Sequence, residues 1–83
     1  MSEDEKMEFI LWSADWCGPC KALQGWLKNK TIEIQIRDID NYPEAATKAV
    51  VRGLPTLDII FEDGSTNRLV GLPDIQMAIE GFL

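Results

Sequence analysis

Residues 16 to 21 read Trp-Cys-Gly-Pro-Cys-Lys, and Cys17 and Cys20 are the only cysteines in a chain of 83 residues. Thiols at this spacing support three kinds of chemistry. They form a reversible disulfide, because a turn at the start of a helix brings the two Cα atoms within the ~4.4–6.8 Å that the bond requires. They supply half of a tetrahedral zinc site. Or they are two small apolar residues of a core. The chain has no histidine and no second cysteine pair, so a usual structural zinc site would have to be shared between two chains. Two core residues would leave the intervening Gly18-Pro19 unexplained. Redox chemistry accounts for the pair and its setting together.

The two thiols are not equivalent. Pro19 suits the first turn of a helix, where its missing N–H costs nothing. Cys17 then caps that helix, where free backbone N–H groups and the positive end of the dipole favour a thiolate. Cys20 falls one turn inside, on the side of Leu23 and Leu27. Cys17 is therefore expected to be an exposed nucleophile that attacks a substrate disulfide, and Cys20 the buried thiol that resolves the mixed disulfide.

Several elements must position this junction. Met7 to Trp12 is a short apolar run suited to a buried strand. From Pro19 the pattern is helical, with Cys20, Leu23, Trp26 and Leu27 inward. Residues 31 to 37 alternate, placing Ile32, Ile34 and Ile36 on one face and Glu33, Gln35 and Arg37 on the other. Pro43 to Val51 predicts a short helix that stops before Gly53. The turn Glu62-Asp63-Gly64-Ser65 joins residues 56–61 and 66–70 as an antiparallel hairpin. Pro73 to Leu83 predicts a closing amphipathic helix, with Ile75, Ile79 and Phe82 inward, helped by Met77 or Ala78. Trp12 and Trp26 are expected in the core.

The order β-α-β-α-β-β-α predicts an α/β fold, a four-stranded mixed sheet flanked by helices. Residues 1–83 form one domain in this reading, with 1–6 as a flexible leader. The cysteines sit where the first strand passes into the first helix, at the carboxyl end of the strands, where α/β sheets usually build sites.

Fourteen acidic against eight scattered basic residues give a formal charge of −6. That distribution argues against nucleic acid, which needs a concentrated basic face. No run approaches the ~18 apolar residues of a membrane span, and the opening Met-Ser-Glu-Asp-Glu-Lys lacks the basic and apolar segments of a secretory signal. The expectation is a monomeric cytoplasmic protein. In a reducing cytoplasm an ordinary structural disulfide does not persist, which favours a working cysteine pair.

Trp-Cys-Gly-Pro-Cys-Lys at 16–21 resembles the active-site sequence of the thioredoxin family. The resemblance extends over residues 8–83, through Asp-Ile-Asp-Asn-Tyr-Pro-Glu at 38–44, Val-Arg-Gly-Leu-Pro-Thr at 51–56, Glu-Asp-Gly at 62–64 and Val-Gly-Leu at 70–72. It implies the thioredoxin fold and a protein-disulfide reductase that needs no cofactor and holds no metal. It implies that Pro55 is cis and faces the disulfide, that the backbone of Leu54 pairs with an extended substrate segment, and that Trp16, Gly18, Pro19 and Gly71 belong to the docking surface. Its partners would be disulfide-containing proteins and a recharging enzyme of the thioredoxin-reductase type.

Two features depart from the family. About seven residues precede the first strand, where thioredoxins carry an extra strand and helix, so the chain is similar in extent to glutaredoxins and small phage or archaeal redoxins. Six residues before the first cysteine, where most thioredoxins bury an aspartate that helps deprotonate the resolving thiol, stands Leu11. Asp58, an acid inside the apolar strand Thr-Leu-Asp-Ile-Ile-Phe, is the candidate proton relay in its place; the alternative is that it points outward from an exposed face. A second reading is a glutathione-recharged, glutaredoxin-like reductant, for example a hydrogen donor to ribonucleotide reductase, with Lys21 and Arg52 as the available cations. A third is a non-catalytic binding module that uses the apolar rim of Trp16, Leu54 and Leu72.

Overall fold

The computed structural model describes residues 7–82; the expected leader, 1–6, and Leu83 lie outside the described residues. The elements in chain order are β1 (Glu8–Ser13), α1 (Gly18–Leu27), β2 (Gln35–Asp38), α2 (Pro43–Lys48), β3 (Thr56–Ile60), β4 (Thr66–Val70) and α3 (Leu72–Phe82). The strands form one sheet in the order β2-β1-β3-β4. β1 runs parallel to β2, and β3 antiparallel to both of its neighbours. This is the mixed four-stranded sheet that the alternation of elements predicts.

Period-two alternation assigns the two faces of the sheet. Leu11 stands opposite Leu57, and both, with Ile59, meet Leu23 of α1 and Ile75 and Ile79 of α3 in one buried cluster. α1 and α3 therefore cover this face, and each of these side chains contributes ~1.5–3 kcal/mol by its burial. The intervening residues Ile10, Trp12, Thr56 and Asp58 point to the other face and are buried as well.

β2 is shorter than the alternation suggests. Ile32 and Ile34 pack against the main core, but pairing with β1 begins only at Ile10 and Gln35. A cleft separates residues 7–9 from 31–35. Ile36 shares the face of Leu11 yet lies on an edge strand, where it is left exposed. In α3, Ile75 and Ile79 face inward as expected, whereas Met77 is exposed. Phe82, expected inward, is 43% exposed in the last turn and sets its ring edge-on to Phe9 at 5.4 Å.

α2 buries none of its residues and ends at Lys48 rather than at Val51. Val50 turns into the left-handed region at φ 56°. Its N–H donates to the Thr47 carbonyl at 3.0 Å and that of Val51 to the Ala46 carbonyl at 3.1 Å, the paired bonds of a Schellman ending. Glycine or asparagine normally occupies that place; a β-branched residue there is rare, and the conformation costs on the order of 1–2 kcal/mol.

Candidate active site

The chain leaves β1 at Ser13 and turns at once into α1. Cys17 N–H donates to the Ala14 carbonyl at 3.1 Å, and Lys21 N–H to the Cys17 carbonyl at 3.1 Å. Cys17 is the N-cap of α1: its backbone is extended, and its sulfur accepts the backbone N–H of Cys20 at 3.2 Å. Gly18 and Pro19 open the helix, where the N–H that proline lacks would have had no intrahelical acceptor. The two sulfurs are joined as a disulfide, with the Cα atoms 5.2 Å apart, inside the range that such a bond tolerates.

Cys20 is fully buried, as its place on the helix requires, but Cys17 is only 6% exposed. The expectation of an exposed Cys17 is thus corrected for the oxidised protein. Its sulfur turns inward to Cys20 and packs in a cluster with Ala14, Ile39 and Leu54. Cys17 still reaches a shallow cleft of about 430 Å³, lined also by Trp16, Gly18, Pro19, Arg52 and Leu54.

The walls of this cleft are fixed by specific bonds. Trp16 is 67% exposed, and its indole N–H donates to Asp40 Oδ2 at 3.1 Å; Asp40 N–H in turn donates to Asp38 Oδ1 at 2.8 Å. Leu54 packs on the cysteine cluster, and the bond from Leu54 to Pro55 is cis, as the resemblance implies. Pro55 is fully buried, and its carbonyl accepts the N–H of Gly71 at 2.9 Å. Gly71 adopts φ 99°, which side chains rarely allow. It is joined to the site through Pro55 and does not line the cleft. Leu72 packs against the main core instead of the expected rim, and Lys21 is exposed and lies outside the lining.

Asp58 matches neither expectation. It is 6% exposed, so it does not point outward into solvent. It projects to the face opposite α1, so it does not face Cys20 either. Its Oδ1 accepts Arg68 Nε at 2.6 Å, and its Oδ2 accepts Arg68 Nη2 at 2.8 Å and Trp12 Nε1 at 3.0 Å. Burial alone pushes this carboxyl up, but the hydrogen bonds from Arg68 and Trp12, with the charge of Arg68, hold it below the usual carboxylate range. A carboxylate so engaged is a poor proton carrier for a thiol on the far side of the sheet. The third contact of the guanidinium, Arg68 Nη1 to the Val50 carbonyl at 2.9 Å, ties β4 to the end of α2.

At Leu11 the core is entirely apolar. On the Cys20 side lies a part-buried polar pair that sequence reasoning missed: Gln24 Nε2 donates to the buried Ser13 Oγ at 3.0 Å. Gln24 lies four residues after Cys20 and so on the same side of α1. That spacing, and a serine ending an apolar strand, are the signals that would have found it.

A family model described as Thioredoxin matches residues 1–80. The thioredoxin of Chlamydia caviae is 40% identical over 67 residues, covering 74% of this chain and 65% of its own length. That of Chlamydia trachomatis is 43% identical over 67 residues, with the same shares of 74% and 65%. This chain thus spans just under two thirds of these relatives. Among solved structures, Trichomonas vaginalis thioredoxin superposes with a TM-score of 0.76 at 28% identity, covering 99% of this chain and 84% of the other. Fasciola hepatica thioredoxin, at 24% identity, shares the fold with a TM-score of 0.78 over 95% of this chain and 82% of its own.

Proposed function

Because this chain belongs to the thioredoxin family, we propose that it is a thiol-disulfide oxidoreductase that reduces protein disulfides. The observation that carries this reading is the Cys17–Cys20 disulfide at the cap of α1, with Cys17 opening onto a cleft walled by Trp16 and Leu54. In the reduced protein, Cys17 as thiolate attacks one sulfur of a target disulfide. A mixed disulfide forms, and the other target sulfur departs as a thiolate and takes a proton. Cys20 then loses its proton and attacks Cys17; the second target thiolate leaves, and the Cys17–Cys20 bond is restored. Two electrons pass to the target, and a two-electron donor must return them.

The recharging partner we favour is an enzyme of the thioredoxin-reductase type, acting on a monomer in the cytoplasm. Recharging by glutathione is the second reading, supported by Arg52 on the cleft wall, a cation placed to meet an anionic tripeptide. Insulin reduction, run once with NADPH and a thioredoxin reductase and once with glutathione and its reductase, separates the two. Turnover with the first donor is expected. Turnover with neither, nor with dithiothreitol, would overturn the enzyme reading. Retention of biological function after replacement of both cysteines by serine would instead favour a binding module.

A further inference from the structure

The cleft wall opposite Trp16 is the segment Val51-Arg52-Gly53-Leu54, and Val51 and Arg52 also line the adjoining groove along α2 with Ile39, Ala46 and Val50. This segment leaves α2 through Val50, a left-handed β-branched residue in a conformation that persists only where surrounding contacts impose it. One imposing contact comes from across the sheet. Register places Arg68 of β4 directly opposite Asp58 of β3, the carboxylate fixes the guanidinium in two bonds, and Trp12 fixes the carboxylate. The guanidinium so oriented donates its remaining bond to the Val50 carbonyl. At the far end of the segment the Thr56 hydroxyl donates to the Gly53 carbonyl.

We propose that Arg68 is a positioning residue for target docking: braced by Asp58, it holds the left-handed turn at Val50 and so sets where Val51, Arg52 and Gly53 stand on the wall beside Cys17. The proposal rests on the oxidoreductase reading of the cleft. Arg68 touches neither sulfur, so its loss should weaken the encounter with a bulky target more than the exchange step itself.

The test is insulin reduction with dithiothreitol as electron donor, with KM and kcat determined separately. Arg68→Lys keeps a cation for Asp58, but a single ammonium cannot reproduce the planar fork that serves both Asp58 and Val50. Its KM should rise on the order of five- to tenfold, the net worth of one ordinary hydrogen bond, with kcat changed less than about twofold. Arg68→Met should show the larger rise, and adding Val50→Asn, which accepts the left-handed turn unaided, should recover most of it. A general loss of packing would not be rescued at Val50. An unchanged KM in folded Arg68→Lys, equal falls in kcat and kcat/KM, or no rescue by Val50→Asn each overturns the proposal while the unaltered chain still turns insulin over. No turnover by the unaltered chain overturns the oxidoreductase reading and this proposal together.

Discussion

Cys20 donates its backbone N–H to the sulfur of Cys17 across 3.2 Å, so the same turn that buries one thiol supplies a donor to the other. The roles of the two cysteines follow from that geometry. Cys20→Ser should accumulate a covalent adduct with a disulfide substrate through Cys17, because the resolving step is removed. Cys17→Ser should accumulate none. Mass spectrometry of the non-reduced mixtures reads both outcomes, and adduct formation through Cys20 in Cys17→Ser would reverse the assignment.

Restoring an acid at Leu11 should harm this protein. The site is fully apolar, closed by Leu23 and Leu57, so Leu11→Asp should cost about 3 kcal/mol or more at neutral pH. Burial raises the folded-state pKa of such a carboxyl above the unfolded value of ~3.9. Its stability is therefore retained at low pH and lost as pH rises through the folded value. Urea denaturation should show a larger deficit at pH 8 than at pH 5. An equal deficit at both would mean that lost packing volume, rather than buried charge, is the cause.

Asp58 has the opposite sign. Its folded-state pKa is depressed, so its contribution is fully present above the ordinary unfolded value of ~3.9 and is lost as pH falls through the folded one. Asp58→Asn should cost about 1–3 kcal/mol at pH 7. That difference from the unaltered chain should shrink on acidification below about pH 4. Thermal unfolding followed by circular dichroism between pH 2 and 7 measures it, and a gap that widens toward acid would contradict the Arg68 ion pair.

Trp16 stands largely in solvent, held by Asp40. Trp16→Ala should leave stability within about 0.5 kcal/mol, as for other surface substitutions, while raising the KM for a protein disulfide severalfold. Parallel melting curves and insulin kinetics suffice. Equal kinetics would remove Trp16 from the docking surface.

The disulfide, the helix start at Gly18 and the cis bond before Pro55 were legible because their signals are local: thiols at i and i+3, a proline in the first turn, and the Leu-Pro-Thr resemblance. The partner of Asp58 is not local, although it is recoverable. Once Glu62-Asp63-Gly64 is taken as a three-residue turn closed by Phe61 and Ser65, the hairpin register sets Arg68 across from Asp58, and an acid and a base directly opposite on neighbouring strands read as a pair. Val50 offers no such route. Ala-Val-Val reads as continuing helix, and the left-handed turn exists where an arginine from another strand meets its carbonyl. Ile36 fails for a related reason: alternation gives the face of a residue, but only the strand order shows that this one lies at the sheet edge.

β1 and β3 are the inner strands, each paired on both flanks, whereas α2 buries no residue. Amide deuterium exchange should accordingly be slowest along β1 and β3 and fast in α2, since protection follows burial and pairing. The two walls of the cleft are therefore supported differently. The one that carries the sulfurs follows an inner strand paired on both flanks, whereas the one at Val51–Gly53 follows a helix that buries nothing and depends on the side-chain ties from Arg68 and Thr56.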